Sequence, residues 1–348
     1  MGSEAENREA FRIQQHYCET MGAPITARIA GALAAAVTRE SRTGARVLDW
    51  AGEPTRGALP LRLVGGLHAL ALAGADEALA RVFAGAGDAG GIEPVLRRVL
   101  VAQDAALLPW LDGPPQTNEP GRSAALMTGL LHVARRHGPR LEVLEIGSSA
   151  GLNLLLDRFR FDLGGVAVGS ADAPLLIRPE WRGSPPPAVP VAFRSVRGCD
   201  IQPLDATDPE VAARLAAYVW ADNPERLERL RTAIALLREH GVALDRADAA
   251  DWLDARLAEP QEAGVTRVLM HSVVWQYLPD ATQHRVQAAM AGAAAVAAPV
   301  RPLAWVRMEP DRQTAQQHVL VASWPGHAEQ VTVADAQAHG AWIAGRAG

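Results

Sequence analysis

The chain has 348 residues, 49% hydrophobic and 21% charged, the profile of a globular protein with enough apolar material for one large core or two modest ones. Its formal net charge of −5 argues against a general nucleic-acid binder, which carries a basic surplus. All 34 basic residues are arginine, which excludes a P-loop lysine on a nucleotide's phosphates and any lysine Schiff base.

Two cysteines, Cys18 and Cys199, are too few for a disulfide framework or a four-cysteine metal site. The histidines near the end, His327 and His339, have no metal-ligand spacing, so no metal is expected. The acidic, polar start MGSEAENREAF is no secretory signal, and the alanine-rich run Ala288–Val300 is too short to span a bilayer. The expectation is a soluble cytoplasmic protein with no membrane or nucleic-acid partner.

In chain order, apolar residues at three- and four-residue spacing predict helices over Phe11–Met21, Pro24–Arg39, Leu61–Ala73, Asp76–Ala84 and Ile92–Leu108, with glycine and proline between them. One more helix, Arg122–His137, follows a polar segment, so residues 1–137 read as a helical cap region. At Leu141 the texture changes. Leu141–Ile146 is a short apolar strand, followed by a small-residue turn and a helical Leu152–Phe159. An irregular insertion occupies about 160–190.

Further strands are predicted at Val189–Val196, Val242–Leu244, Val265–His271, Leu303–Met308, His318–Ser323 and Gln330–Val333. Helices are predicted at Pro209–Trp220, Pro224–His240 and Asp280–Ala298. Strands alternating with helices, then strands in a row, predict a doubly wound α/β sheet over 138–348, closed by a hairpin.

The turn after the first strand, Glu145-Ile-Gly147-Ser148-Ser149-Ala-Gly151, is the most informative segment. It lies where a doubly wound sheet places its ligand crevice. Gly147 and Gly151 permit a tight turn, Ser148 and Ser149 are small, and Glu145 supplies a carboxylate at the strand end. The spacing differs from the dinucleotide pattern G-x-G-x-x-G and suits a ligand without phosphates. It resembles the first motif of class I S-adenosylmethionine-dependent methyltransferases, with serine in place of the middle glycine. The same residues spell G-x-S-x-G, the nucleophile elbow of α/β-hydrolases, with Ser149 as nucleophile and Asp248 and His271 as partners. A bare strand–helix turn is the third alternative.

Asp200, after an apolar strand, matches the acidic residue that bonds the cofactor's ribose in the methyltransferase pattern; a turn aspartate is the plainer alternative. Asp248 matches an acidic contact to adenine, or caps the helix containing Trp252. His271 ends a strand followed by Ser272, Trp275 and Tyr277, and is a candidate general base, as is Glu309 at the end of the next strand. Each has a structural alternative as a buried, hydrogen-bonded side chain. Gln116, Asn118, Glu119 and Arg122 form a dense polar cluster before a helix, more than capping needs, and with Ser272 and Tyr277 are candidate substrate contacts.

Phe11-Arg-Ile-Gln-Gln, Gln116-Thr-Asn-Glu119, Leu144-Glu-Ile-Gly-Ser-Ser-Ala-Gly-Leu-Asn-Leu154, Val268-Leu-Met-His-Ser-Val-Val274 and Trp324-Pro-Gly326 together resemble the bacterial family catalogued as "domain of unknown function 2332". The resemblance runs nearly end to end. It implies a methyltransferase-like, Rossmann-like C-terminal part, here expected as a seven-stranded, mostly parallel sheet. The functional expectation is an S-adenosylmethionine-dependent methyltransferase of a small molecule. The alternatives are a serine hydrolase using Ser149 and a non-catalytic ligand-binding protein of the same fold.

Overall fold

The computed structural model describes residues 3–87, 89–311 and 316–347, with backbone alone at 89–90 and 327–328. They group into two compact units: Met1–Thr117 with Asp208–Glu228, and Asn118–Thr207 with Arg229–Gly348. The first is discontinuous in sequence, and the helix Ser123–His137 belongs to the second.

The first unit is helical. Its helices Glu4–Thr20, Pro24–Ala36, Leu59–Leu72, Glu77–Phe83 and Ala89–Ala102 coincide with the predicted ones to within a turn or two, except that the first begins earlier. Ser3 starts that helix, its hydroxyl accepting from the Glu6 amide while Glu6 reaches back to the Ser3 amide. The short helix Arg42–Leu48 was not predicted. It has only seven residues, and its start is set by Ser41 accepting from the Gly44 amide. Phe11, Ile29, Leu33, Leu59, Leu63 and Leu67 are wholly buried together. The returning segment supplies the helix Pro209–Ala217 and Asp222, whose carboxylate accepts from the Ile25 and Thr26 amides and the Thr26 hydroxyl. No single helix among the described residues is long and apolar enough to cross a membrane.

The second unit is built on strands β1 (Arg140–Ile146), β2 (Arg160–Leu163), β3 (Val166–Val168), β4 (Leu176–Ile177), β5 (Glu180–Gly183), β6 (Ala192–Asp200), β7 (Ala243–Arg246), β8 (Thr266–Ser272), β9 (Leu303–Pro310), β10 (Gln317–Trp324), β11 (His327–Ala336) and β12 (Trp342–Gly345). The main sheet has nine strands in the order β5-β12-β11-β10-β9-β8-β1-β6-β7. The five from β9 to β7 are parallel, β9 to β12 form an antiparallel meander, and β5 joins β12 in parallel.

The expectation of seven strands is therefore corrected to nine of mixed direction, and the closing hairpin to a meander. The additional strands β5 and β12, the outer two at one side of the sheet, are four residues each, too short for a periodic signal. The insertion is not irregular throughout: β2, β3 and β4 form a small separate sheet. The predicted helix Leu152–Phe159 is only a 3₁₀ turn, Leu152–Leu155. Leu152 to Leu156 are all buried, and a run buried on every side shows no helical face to distinguish it from a loop.

Strand alternation assigns the two faces of the sheet. Leu144, Ile146, Leu269 and Trp305 share a core with the helices Ala249–Ala258 and Asp280–Ala295. Glu145, Met270 and Val306 point to the opposite face, where the helix Ser123–His137 packs and Gly129 meets Val306.

Candidate functional site

From β1 the chain crosses to β6 and β7 on one side, and β8 and β9 lie on the other, so strand order reverses at β1. The turn Gly147–Gly151 stands at this topological switch point, outside the carboxyl ends of the parallel strands, where open α/β sheets receive ligands. Gly147 and Gly151 have φ of +70° and +75°. A Cβ on Gly147 would lie 2.3 Å from a Val274 methyl, so a neighbouring side chain occupies that space. Ser149 also has a positive φ, +56°.

Side chains from two separate segments hold the turn and the residues that follow it. Asp200 accepts from the Ser149 amide at 2.8 Å and from the Gln202 amide at 2.9 Å. Asn118 accepts from the Leu152 amide at 2.7 Å, and Ser123 donates its hydroxyl to Asn153 at 2.8 Å. The polar cluster before the helix thus clamps the turn. Its Glu119 accepts from the Gly121 amide and pairs with Arg229 at 3.1 Å, and Arg122 donates to the Ala338 carbonyl. Gln116 falls in the other unit. Asn153, Ser123 and Arg229 escape sequence reasoning, because nothing local signals a bond 30 or 110 residues away.

Glu145 is buried at the end of β1, and its Oε2 has no hydrogen-bond partner. Burial pushes its pKa up to about 7, opposed by the Ser148 hydroxyl and reinforced by the Asp200 carboxylate. A carboxyl whose folded pKa lies above its unfolded value favours the fold most while protonated. Stability therefore falls as pH rises from about 4.5 to about 7, by about 3 kcal/mol in all. Urea unfolding across this range should show that decline in the wild type and a flatter profile in Glu145→Gln. Parallel profiles would show Glu145 to be ionised throughout.

On the other face, His271 is fully buried and its Nδ1–H donates to Glu309 at 2.6 Å, since an ionised carboxylate only accepts. Glu309 also accepts from the Val274 and Trp275 amides. Val273, a β-branched residue at φ +53°, makes the bend that precedes these two amides, and backbone strain of this kind gathers at functional sites. Trp275 stacks on His271 with ring centroids 5.3 Å apart. His271 Nε2 has no partner. The fold thus joins His271 with Glu309, 38 residues apart, and joins Glu145 with Ser149 and Asp200 through the turn, but sets the two groups on opposite faces of the sheet.

Asp248 accepts from the Ala250 and Asp251 amides and caps the helix Ala249–Ala258. Ser272 is buried on the Glu145 face, whereas Tyr277 is 74% exposed on the 3₁₀ turn Trp275–Tyr277. The Cys199 thiol lies beside Ile146 on the other face, and burial pushes its pKa up, which disfavours the reactive thiolate. The His327 side chain lies outside the described residues. Among those described, no three His, Cys, Asp or Glu side chains gather as metal ligands.

This is a mixed α/β protein with a large, mostly parallel sheet and a constrained small-residue turn at its switch point. The chain belongs to the family described as "uncharacterized protein conserved in bacteria (DUF2332)", whose model matches residues 8–344. No curated protein and no solved structure matches it.

Proposed function

We propose that the chain is an S-adenosylmethionine-dependent methyltransferase acting on a small molecule. The observation that carries this reading is Glu145: a buried carboxylate with an orphaned oxygen, near the end of the middle one of the five parallel strands and beside the glycine turn. A buried polar atom without a partner is costly, and the cationic amino-acid end of this cofactor would relieve it. Glu145, the Gly147–Gly151 backbone and Asp200 are the residues that would hold the cofactor. Each Asp200 oxygen accepts one backbone bond and has a lone pair left for a hydroxyl.

The bound cofactor supplies a methyl group that is already electrophilic. The chain's own residues then need to orient the acceptor and take up its proton. His271 suits the proton-accepting role, because Glu309 fixes the ring and leaves Nε2 as the basic nitrogen. Asp248 is spent on its helix cap and is not needed for cofactor contact.

Isothermal titration with S-adenosylmethionine and S-adenosylhomocysteine is expected to show binding. Glu145→Gln should weaken it about tenfold, the worth of one charge-assisted hydrogen bond. Absence of heat with both ligands at high micromolar concentration would reject the reading.

The positive φ of Ser149 within Gly-x-Ser-x-Gly favours the serine-hydrolase alternative. Against it, the buried Ser149 Oγ has no partner, and His271 pairs with Glu309 and not with Asp248. Labelling by a fluorophosphonate probe, lost in Ser149→Ala, would restore it.

A further inference from the structure

The face of the sheet that carries His271 holds a second group of nitrogens without partners. Trp305 and Arg307 lie on β9, and Leu269 and His271 stand directly beside them on β8. The Arg307 guanidinium sits 4.5 Å over the Trp305 ring, and Trp305 lies 6.0 Å from His271 and 5.7 Å from Trp275, centroid to centroid. The four side chains form one cluster. Trp305 Nε1, Arg307 Nε and His271 Nε2 are each buried without a hydrogen-bond partner, and Trp305 and His271 are over nine-tenths buried.

Arg307 makes no ion pair or hydrogen bond with any described residue, although the Glu309 carboxylate is two positions along the same strand and on the same face. Glu309 is already engaged by three N–H donors, those of His271, Val274 and Trp275, which hold its oxygens in place. A mostly buried cation is thereby left with no carboxylate in hydrogen-bond contact, Glu309 attracting it only from a distance, an arrangement that a closer anion would complete. Indole and guanidinium can only donate, so the missing group is an acceptor and an anion. The guanidinium fork fits a carboxylate or a phosphoryl group.

We infer that Arg307, Trp305 and His271 form an oxyanion-binding subsite across β8 and β9 on this face of the sheet. Trp275, partly exposed and stacked on His271, is its outer wall. The subsite binds an anionic small molecule and sets that molecule's exchangeable proton near His271 Nε2. Anion binding does not depend on the methyltransferase reading; only the identification of the anion as part of the methyl acceptor rests on it.

The test follows the indole N–H resonance of Trp305, assigned by its loss in Trp305→Phe, during titration with sodium acetate and with inorganic phosphate at ionic strength matched by chloride. The resonance is expected to move saturably with at least one of them, and the affinity to fall about tenfold or more in Arg307→Met and Arg307→Gln. Response to acetate alone marks a carboxylate ligand, and response to phosphate alone a phosphoryl ligand. No saturable movement with either anion overturns the inference, as does movement that persists unchanged in the Arg307 variants. If neither cofactor form binds while the Trp305 response remains, the methyltransferase reading fails and the anion subsite stands. Arg307→Met should also unfold at no lower a urea concentration than the wild type in anion-free buffer, because it removes an unpaired buried charge; a clear loss of stability would show the guanidinium to be structural and overturn the inference.

Discussion

Arg267→Ala is expected to lower the unfolding free energy by about 3–5 kcal/mol, the usual consequence of stripping one partner from a buried ion pair. Arg267 is 3% exposed at the start of β8. It pairs with Glu142 on β1 at 3.0 Å and donates to the carbonyls of Leu257, Glu259 and Pro260. Its removal leaves a carboxylate and three carbonyls without their donor. The same contacts fix the chain entering β8, the strand that carries His271 near its far end, so a loss of stability should come with a loss of order where β8 begins. Denaturant midpoints measure the effect, and a change below about 1 kcal/mol would show the pair to be solvated. Replacing Arg267 and Glu142 together by methionine should cost less than Arg267→Ala alone, because no charge is then stranded.

Gly147→Ala should cost about 2–4 kcal/mol, the sum of a left-handed backbone position and an overpacked contact. The φ is +70°, and the new methyl would lie 2.3 Å from one Val274 carbon and 2.7 Å from another. Adding Val274→Ala should recover only part of the loss. It removes the nearest carbon but leaves the Val274 Cβ and the backbone strain. Complete recovery would mean the strain is negligible, and no loss in the single variant would mean the turn relaxes freely. Ligand affinity should fall in parallel, because the turn and the His271 loop bear on each other through this contact.

The general class of this fold was legible because β1, β8 and β9 are largely apolar runs bounded by turns, and strands alternating with helices have one common architectural solution. The position of the turn was legible for the same reason. The edge of the sheet was not. β5 comes from Glu180–Gly183, a polar stretch made a strand only by its pairing with Trp342–Gly345. Tertiary pairing of this kind leaves no periodic trace.

The site was legible as a set of residue types and illegible as an arrangement. Glu145 and His271 are each the last residue but one of a strand, and only the register reveals that they point to opposite faces. Trp305, Arg307 and Glu309 did carry a signal, since polar-capable residues at every second position of a strand share one face. Arg307 looked ordinary because arginine is the chain's only strong base and occurs everywhere along it. Asp248 had an adequate local explanation as a cap, and the structure uses it that way.

The discontinuity of the helical unit bears on how the protein is made. Asp222, which caps the helix Pro24–Ala36, and Ala217, whose carbonyl meets the buried His68, are translated long after the helices they complete. A nascent chain that has reached Thr117 therefore lacks part of its own unit, and by the time that part is synthesised β1 and β6 have already been translated. The early helices must wait, incompletely packed, while the first sheet strands emerge. The protein thus carries an ordering constraint on synthesis in which neither unit's sequence is complete before the other has begun.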